Sequence, residues 1–210
     1  MRALIVANGD PPSAELLNTL AARAALVVAA DAGLDKALAA GLHVDAVVGD
    51  FDSVSAEGRA QLPPEAFHHD AALDSTDLEK AVAFCIEQGC DTVDIAAASG
   101  GRADHALANL SVITRFRGKA RVAVIDDLFE ISLVEHRETI DAPPGTVVSL
   151  VAIGRFTGIT THGLRWDLSG YTLEFSPLGV HNEVARPPAT VEVAAGDLLI
   201  FRGRFIEKHQ

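Results

Sequence analysis

The stretch TDLEKAVAFCIEQGCDTVDIAAASGGRADH, residues 76–105, decides the fold class. Leu78, Ala81, Val82 and Cys85 recur on one helical face, Thr76 and Glu79 have the spacing of a capping box, and Gly89 supplies a helix stop. Thr92–Ala97 is then a short apolar run of strand length. A glycine-rich loop follows, and a second helical pattern runs from about Asp104 to Phe116. Helix, strand, loop, helix in that order is the signature of a parallel sheet.

The same alternation extends in both directions. Upstream, Ala3–Ala7 reads as a strand, and Ser13 can cap a helix running to about Arg23. Leu26–Ala30 is a strand ending at Asp31, with a short helix from about Leu34 to Ala40 stopped by Gly41. Ala46–Val48 is a third strand and Phe67–Asp70 a fourth, weakened by two histidines; downstream, Arg121–Ile125 closes the series. The expectation is an α/β fold: a doubly wound, mostly parallel sheet with helices on both faces.

After about Glu130 the texture changes. Val147–Ile153, Thr172–Phe175, Thr190–Val193 and Leu198–Phe201 are short β-rich pieces, separated by Gly145, Gly154, Gly163, Gly170, Gly179 and Gly196. That pattern fits a smaller all-β sandwich or barrel. The chain therefore divides into an α/β domain over 1–130 and a β domain over 131–210.

Composition narrows the function. With 210 residues, 49% of them apolar and 22% charged, the chain can bury a core. A net charge of −12 argues against non-specific binding to nucleic acid or anionic membrane and suits a cationic small molecule. Cys85 and Cys90 read as reduced thiols. Met1–Ala7 is strand-like rather than a signal peptide, and no apolar run approaches the roughly 20 residues of a transmembrane helix. A cytoplasmic protein is expected.

In an open parallel sheet, ligands bind outside the carboxyl ends of the strands. Asn8-Gly9, Asp31, Asp50 and Gly100-Gly101 each follow a strand directly, and Asp74 precedes a helix that follows one. Asp50 and Asp52 flank Phe51; in extended geometry both carboxylates project to one side and Phe51 to the other. The competing reading is a solvated turn, but the preceding strand favours a metal or phosphate site. Asp74 and Asp77 bracket a helix start, where capping and the macrodipole explain acids equally well. Gly100-Gly101-Arg102 opens a helix with free amides and a guanidinium, a phosphate cradle that is neither a P-loop nor a dinucleotide fingerprint. His105 and Asn109 share the face of that helix that points back to the loop, His105 having a buried structural histidine as its alternative. Carboxylates repel phosphate and Arg102 attracts it, so a site holding both makes sense if a divalent cation such as Mg2+ bridges them. The other histidines lack zinc spacing, and Ser53 and Ser99 lack a base partner, which leaves covalent catalysis without support.

Taken together, Gly49-Asp50-Phe51-Asp52-Ser53, Asp74-x-Thr76-Asp77-Leu78-Glu79-Lys80-Ala81 and Gly100-Gly101-Arg102-x-Asp104-His105-x-x-x-Asn109-Leu110 resemble the thiamine pyrophosphokinase family in order and spacing. Gly163-Leu164-Arg165-Trp166-x-Leu168 and Gly179-x-x-Asn182-Glu183 resemble the same family's C-terminal domain. The resemblance implies transfer of the β,γ-pyrophosphoryl group of ATP to the hydroxyl of thiamine, giving thiamine diphosphate and AMP, by a homodimer. It implies Asp50, Asp52, Asp74 and Asp77 around magnesium and the phosphates. Arg102, Gly100, Gly101, Asp104 and Asn109, with Asp31, Thr76 and His105, complete the nucleotide side. Trp166, His181 and Asn182 fall to thiamine: Trp166 is a candidate for stacking on the cationic ring, with a core tryptophan as the alternative.

Three positions depart from the family pattern. Asp31-Ala32-Gly33-Leu34 stands where an Asp-Gly-Gly-Ala-like run is usual, Leu73 where a lysine often precedes the acidic motif, and His181-Asn182 where the family has Ser-Asn. They keep two alternatives open: a pyrophosphokinase for another small alcohol, such as a hydroxymethyl pterin, and a non-catalytic nucleotide- or thiamine-binding regulator.

Overall fold

The computed structural model describes residues 1–72 and 74–206 and falls into two compact units, Met1–Asp127 and the chain from Leu128 onward. Position 73, where a lysine was expected and Leu73 stands, lies outside the described residues.

In the first unit β1 (Arg2–Val6), β2 (Leu26–Ala30), β3 (Ala46–Gly49), β4 (Phe67–His69), β5 (Thr92–Ala96) and β6 (Arg121–Ile125) form a parallel sheet in the order β4-β3-β2-β1-β5-β6. The chain winds outward from β1 to β4, then returns to the other side of β1 for β5 and β6. The order therefore reverses between β1 and β5, and the crevice at their carboxyl ends is where such sheets bind ligands. Each strand is a short apolar run because both faces are covered. Leu4 and Val6 of β1 pack with Leu16, Leu17 and Leu20 of α1 (Ala14–Arg23) and Leu34 and Ala37 of α2 (Gly33–Ala39). Alternation along the strand leaves Ala3 and Ile5 to the opposite face. A single-turn α3 (Ala56–Arg59) and a 3-10 turn (Pro64–Ala66) intervene before β4.

The best-marked helix, α4 (Asp77–Glu87), buries Leu78, Ala81, Val82 and Cys85, the face its spacing predicts. Thr76 caps it by accepting from the Glu79 amide, but the Glu79 carboxylate does not complete a capping box: it pairs with Arg115 at 2.8 Å. Arg115 ends α5 (Ala103–Arg115). No described helix is long and apolar enough to cross a membrane.

The second unit is antiparallel. Its strands are β7 (Phe129–Val134), β8 (Arg137–Ile140), β9 (Thr146–His162), β10 (Tyr171–Glu174), β11 (Asn182–Glu183), β12 (Ala189–Glu192) and β13 (Ala195–Ile206). They run in the order β7-β13-β9-β12-β8, and β10 and β11 also pair with β9. Val148, Leu150, Ile159, Leu173, Val191, Leu198 and Ile200 form their core. Sequence reading stops a strand at Gly154 and overlooks β7, β8 and β11. Gly154 instead sits in a bulge: β13 residues Ala195 and Asp197 face Thr157 and Ile153, so β9 carries extra residues there and continues to His162.

Candidate functional site

A cavity of about 820 Å3 lies at the carboxyl ends of the first unit's strands. Two backbone bonds zip the β1 and β5 loops together on its floor: the Gly9 amide donates to Ala97 O at 2.6 Å and the Asp10 amide to Ser99 O at 2.7 Å. Gly9 is required by that approach, since a Cβ there would lie 2.3 Å from Ser99 O. Asn109 Nδ2 donates to Ala98 O at 2.8 Å, so the helix face expected to point at the loop does so. Gly100, Gly101, Arg102, Asp104 and His105 all line the cavity.

Asp31, Asp50 and Asp77 face one another from three elements, each offering a carboxylate oxygen within 4.8 Å of the others. At that separation each charged pair repels by about 1 kcal/mol in water and about 3 kcal/mol at the effective dielectric of a protein surface. Asp31 is buried at the tip of β2 in a left-handed conformation (φ 46°), and its Oδ1 has no hydrogen-bond partner. Burial pushes its carboxyl above the usual range; the Ala32 amide offsets this in part, and the charges of Asp77, Asp52 and Asp50 add to the rise. A buried carboxylate with an orphaned oxygen, facing two further carboxylates, suits a hard divalent cation.

Asp50 and Asp52 do not alternate along an extended strand. Phe51 takes φ 65°, the Asp52 amide donates to Asp50 Oδ1 at 3.1 Å, and Ser53 Oγ donates to Asp52 Oδ1 at 2.7 Å. The turn leaves Phe51 against Phe67 and places Asp52 beyond the trio, although its charge still reaches Asp31. Asp74 is exposed and also stands outside the trio, while Asp31, read from the sequence as a nucleotide contact, stands within it. Asp31, Phe51 and Ala97, three non-glycine residues with positive φ, all lie at this sheet edge, where strain concentrates at functional sites.

Arg102 and Asp104 form a bidentate pair, with Nε to Oδ1 at 3.1 Å and Nη2 to Oδ2 at 2.6 Å. The guanidinium beside it holds the Asp104 carboxyl down at about 2. Lys80, which sequence reading passes over, is buried beside the trio; only its place in the acidic motif could have flagged it.

In the second unit Trp166 is 54% exposed and carries the Arg165 guanidinium 5.0 Å over its ring, which removes the core-tryptophan alternative. Asn182 is buried and spends its amide on backbone: Oδ1 accepts from the Trp166 and Glu183 amides, and Nδ2 donates to Trp166 O at 2.8 Å. Its side chain fixes the segment that presents Trp166. His181 is exposed with φ 68°, its amide donating to Ser149 Oγ. Asp167, another residue not foreseen, ties the loop by accepting from Thr161 Oγ1 and the Gly163 and Leu164 amides.

Comparison with known proteins supplies independent findings. Residues 17–125 match the family model described as thiamin pyrophosphokinase, catalytic domain, and residues 133–198 match thiamin pyrophosphokinase, vitamin B1 binding domain. A thiamine pyrophosphokinase of Bacillus subtilis is 25% identical over 193 residues, covering 84% of this chain and 86% of the relative. Thiamine pyrophosphokinase 1 of Arabidopsis thaliana is 31% identical over 170 residues, but the aligned part spans only 63% of that longer relative. Among solved structures, the Bacillus subtilis thiamine pyrophosphokinase superposes with a TM-score of 0.85 at 24% identity, covering 97% of this chain and 99% of that one. The Candida albicans thiamin pyrophosphokinase gives 0.80 at 15% identity, with 98% and 89% covered. At these identities the structural likeness is one of fold.

Proposed function

The chain belongs to the thiamine pyrophosphokinase family, and on that premise we propose that it moves the β,γ-pyrophosphoryl group of ATP onto the hydroxyl of thiamine, releasing AMP. The observation that carries this reading is the trio of Asp31, Asp50 and Asp77 beside the Gly100-Gly101-Arg102 loop. Those three carboxylates would hold Mg2+, and the orphaned Oδ1 of Asp31 fits the role. An ion held by these residues would supply charge neutralisation for the triphosphate oxygens and so make the β-phosphorus more electrophilic.

The protein's own part is positioning. The amides at the start of α5 and the glycine loop donate to phosphate oxygens, and Arg102, aimed by Asp104, stabilises charge as AMP departs. Thr76 caps α4 and so fixes Asp77; His105 and Asn109 line the nucleotide side. Asp52 and Asp74 act at longer range, through the field of the cluster rather than as inner ligands. The α/β part, 1–130, is the nucleotide domain. The β part, 131–210, contributes thiamine binding through Trp166, presented by Asn182 and flanked by His181, and pairs two copies into a homodimer. The setting is cytoplasmic.

The test is AMP release from ATP and Mg2+ with and without thiamine. Thiamine-dependent AMP supports the reading. AMP formed only with another alcohol, such as a hydroxymethyl pterin, transfers it to a different acceptor, and nucleotide binding without AMP makes the chain a regulator. Asp50→Asn and Asp77→Asn each lower kcat by at least about 100-fold with circular dichroism unchanged; near-normal turnover in both removes the metal assignment.

A further inference from the structure

Lys80 is the one buried cationic side chain among the described residues, at 8% exposure. Its ammonium donates to Asp70 O at 2.8 Å and to Asp77 Oδ1 at 3.1 Å. The first bond ties α4 to the end of β4; the second reaches the acidic trio. Burying an ammonium is costly, and an alkyl side chain would cover the same helix face without that cost. Something other than packing therefore accounts for the charge.

The trio supplies a reason. Asp77 is the first residue of α4, and its side chain remains about one-third exposed, at 32%. Facing Asp31 and Asp50, an ion-free Asp77 gains by rotating out to water, because that relieves like-charge repulsion and restores hydration. An i,i+3 ion pair on an open helix surface would not prevent this. Here the lysine is held by its buried stem and by the Asp70 carbonyl, so its bond to Asp77 Oδ1 is a fixed restraint rather than a fluctuating contact.

We propose that Lys80 is the positioning residue of the acidic site: it keeps the Asp77 carboxylate turned toward Asp31 and Asp50 before any ion or nucleotide arrives. The inference rests on reading the trio as a cation site. It carries a sign that separates it from plain electrostatics. Removing a positive charge beside three carboxylates should tighten cation binding if charge alone matters. If Lys80 positions Asp77, removal weakens binding, because the ligand set must be reassembled each time.

The experiment is Mn2+ titration of the full chain without nucleotide, followed by electron paramagnetic resonance. Lys80→Met is expected to raise the Kd for Mn2+ about threefold to tenfold. Lys80→Gln, whose amide can still donate to Asp70 O, is expected to do the same and serves as the measured variant if Lys80→Met does not fold. An unchanged or tighter Kd in a natively folded variant overturns the proposal, as does a drop in Tm with no change in Kd. Wild-type protein that binds no Mn2+ fails the cation reading itself, and the inference falls with it.

Discussion

Arg102 and Asp104 illustrate how much a two-residue contact decides. The pair is exposed, so it contributes little to folding, yet it sets the direction of the guanidinium that faces the nucleotide loop. Because the folded Asp104 carboxyl is held at about 2 against an ordinary 3.8, the pair is fully formed above the ordinary value and is lost only as pH falls through about 2. Carbon-detected NMR titration of Asp104 should find that midpoint, and Arg102→Ala should return it toward 3.8. A midpoint unmoved by the substitution removes the aiming role. Cys85 makes an opposite case: burial pushes its thiol up to about 12. In native protein at pH 8 it should resist a thiol-reactive disulfide reagent and react only after denaturation.

At the scale of elements, the loops after β1 and β5 act as one piece. Gly9 lies within 2.3–2.5 Å of two backbone carbonyls if given a Cβ, so Gly9→Ala must separate the loops or tilt a strand. Gly101 has open space for a Cβ and only its positive φ of 64° to defend. Denaturant melts should therefore show a loss of roughly 2 kcal/mol or more for Gly9→Ala and about 1 kcal/mol for Gly101→Ala. The difference should carry into function. Gly9→Ala disturbs the cavity floor and should raise KM for ATP, whereas Gly101→Ala should alter it less. Equal effects from the two would mean that the Gly9–Ala97 and Asp10–Ser99 bonds do not shape the site.

For the whole molecule, the second unit leaves large apolar side chains in water: Phe175 at 65%, Leu178 at 60% and Val180 at 52%, besides Trp166. Apolar surface of this kind favours burial against a partner, which agrees with the proposed homodimer. Light scattering on Phe175→Asp should find weakened self-association, and persistence of the wild-type mass would place the interface elsewhere. Each unit also owns a separate core, around Leu4, Leu17 and Val47 in the first and around Leu150, Ile159 and Leu198 in the second.

The sequence alone determined what depends on periodicity and on order along the chain. A helix face such as Leu78, Ala81, Val82 and Cys85, and apolar runs such as Leu26–Ala30, are local facts of spacing, and strand ends necessarily mark where polar residues gather. The edge bearing the glycine loop, Asp31 and Asp50 was legible for that reason, whereas Asp77 read only as one of two acids at a helix start. The strands β7 and β8, and the passage of β9 through Gly154, were not, because pairing partners rather than local propensity make such strands. Tertiary structure alone decided which carboxylates meet. The left-handed turn at Phe51 sends Asp52 aside, the burial of Asp31 leaves an oxygen unpaired, and the withdrawal of Lys80 from solvent fixes Asp77. The burial of Asp31 and the Lys80–Asp70 bond depend on neighbouring elements, and the turn at Phe51 on a backbone conformation, none of which apolar spacing within one segment encodes.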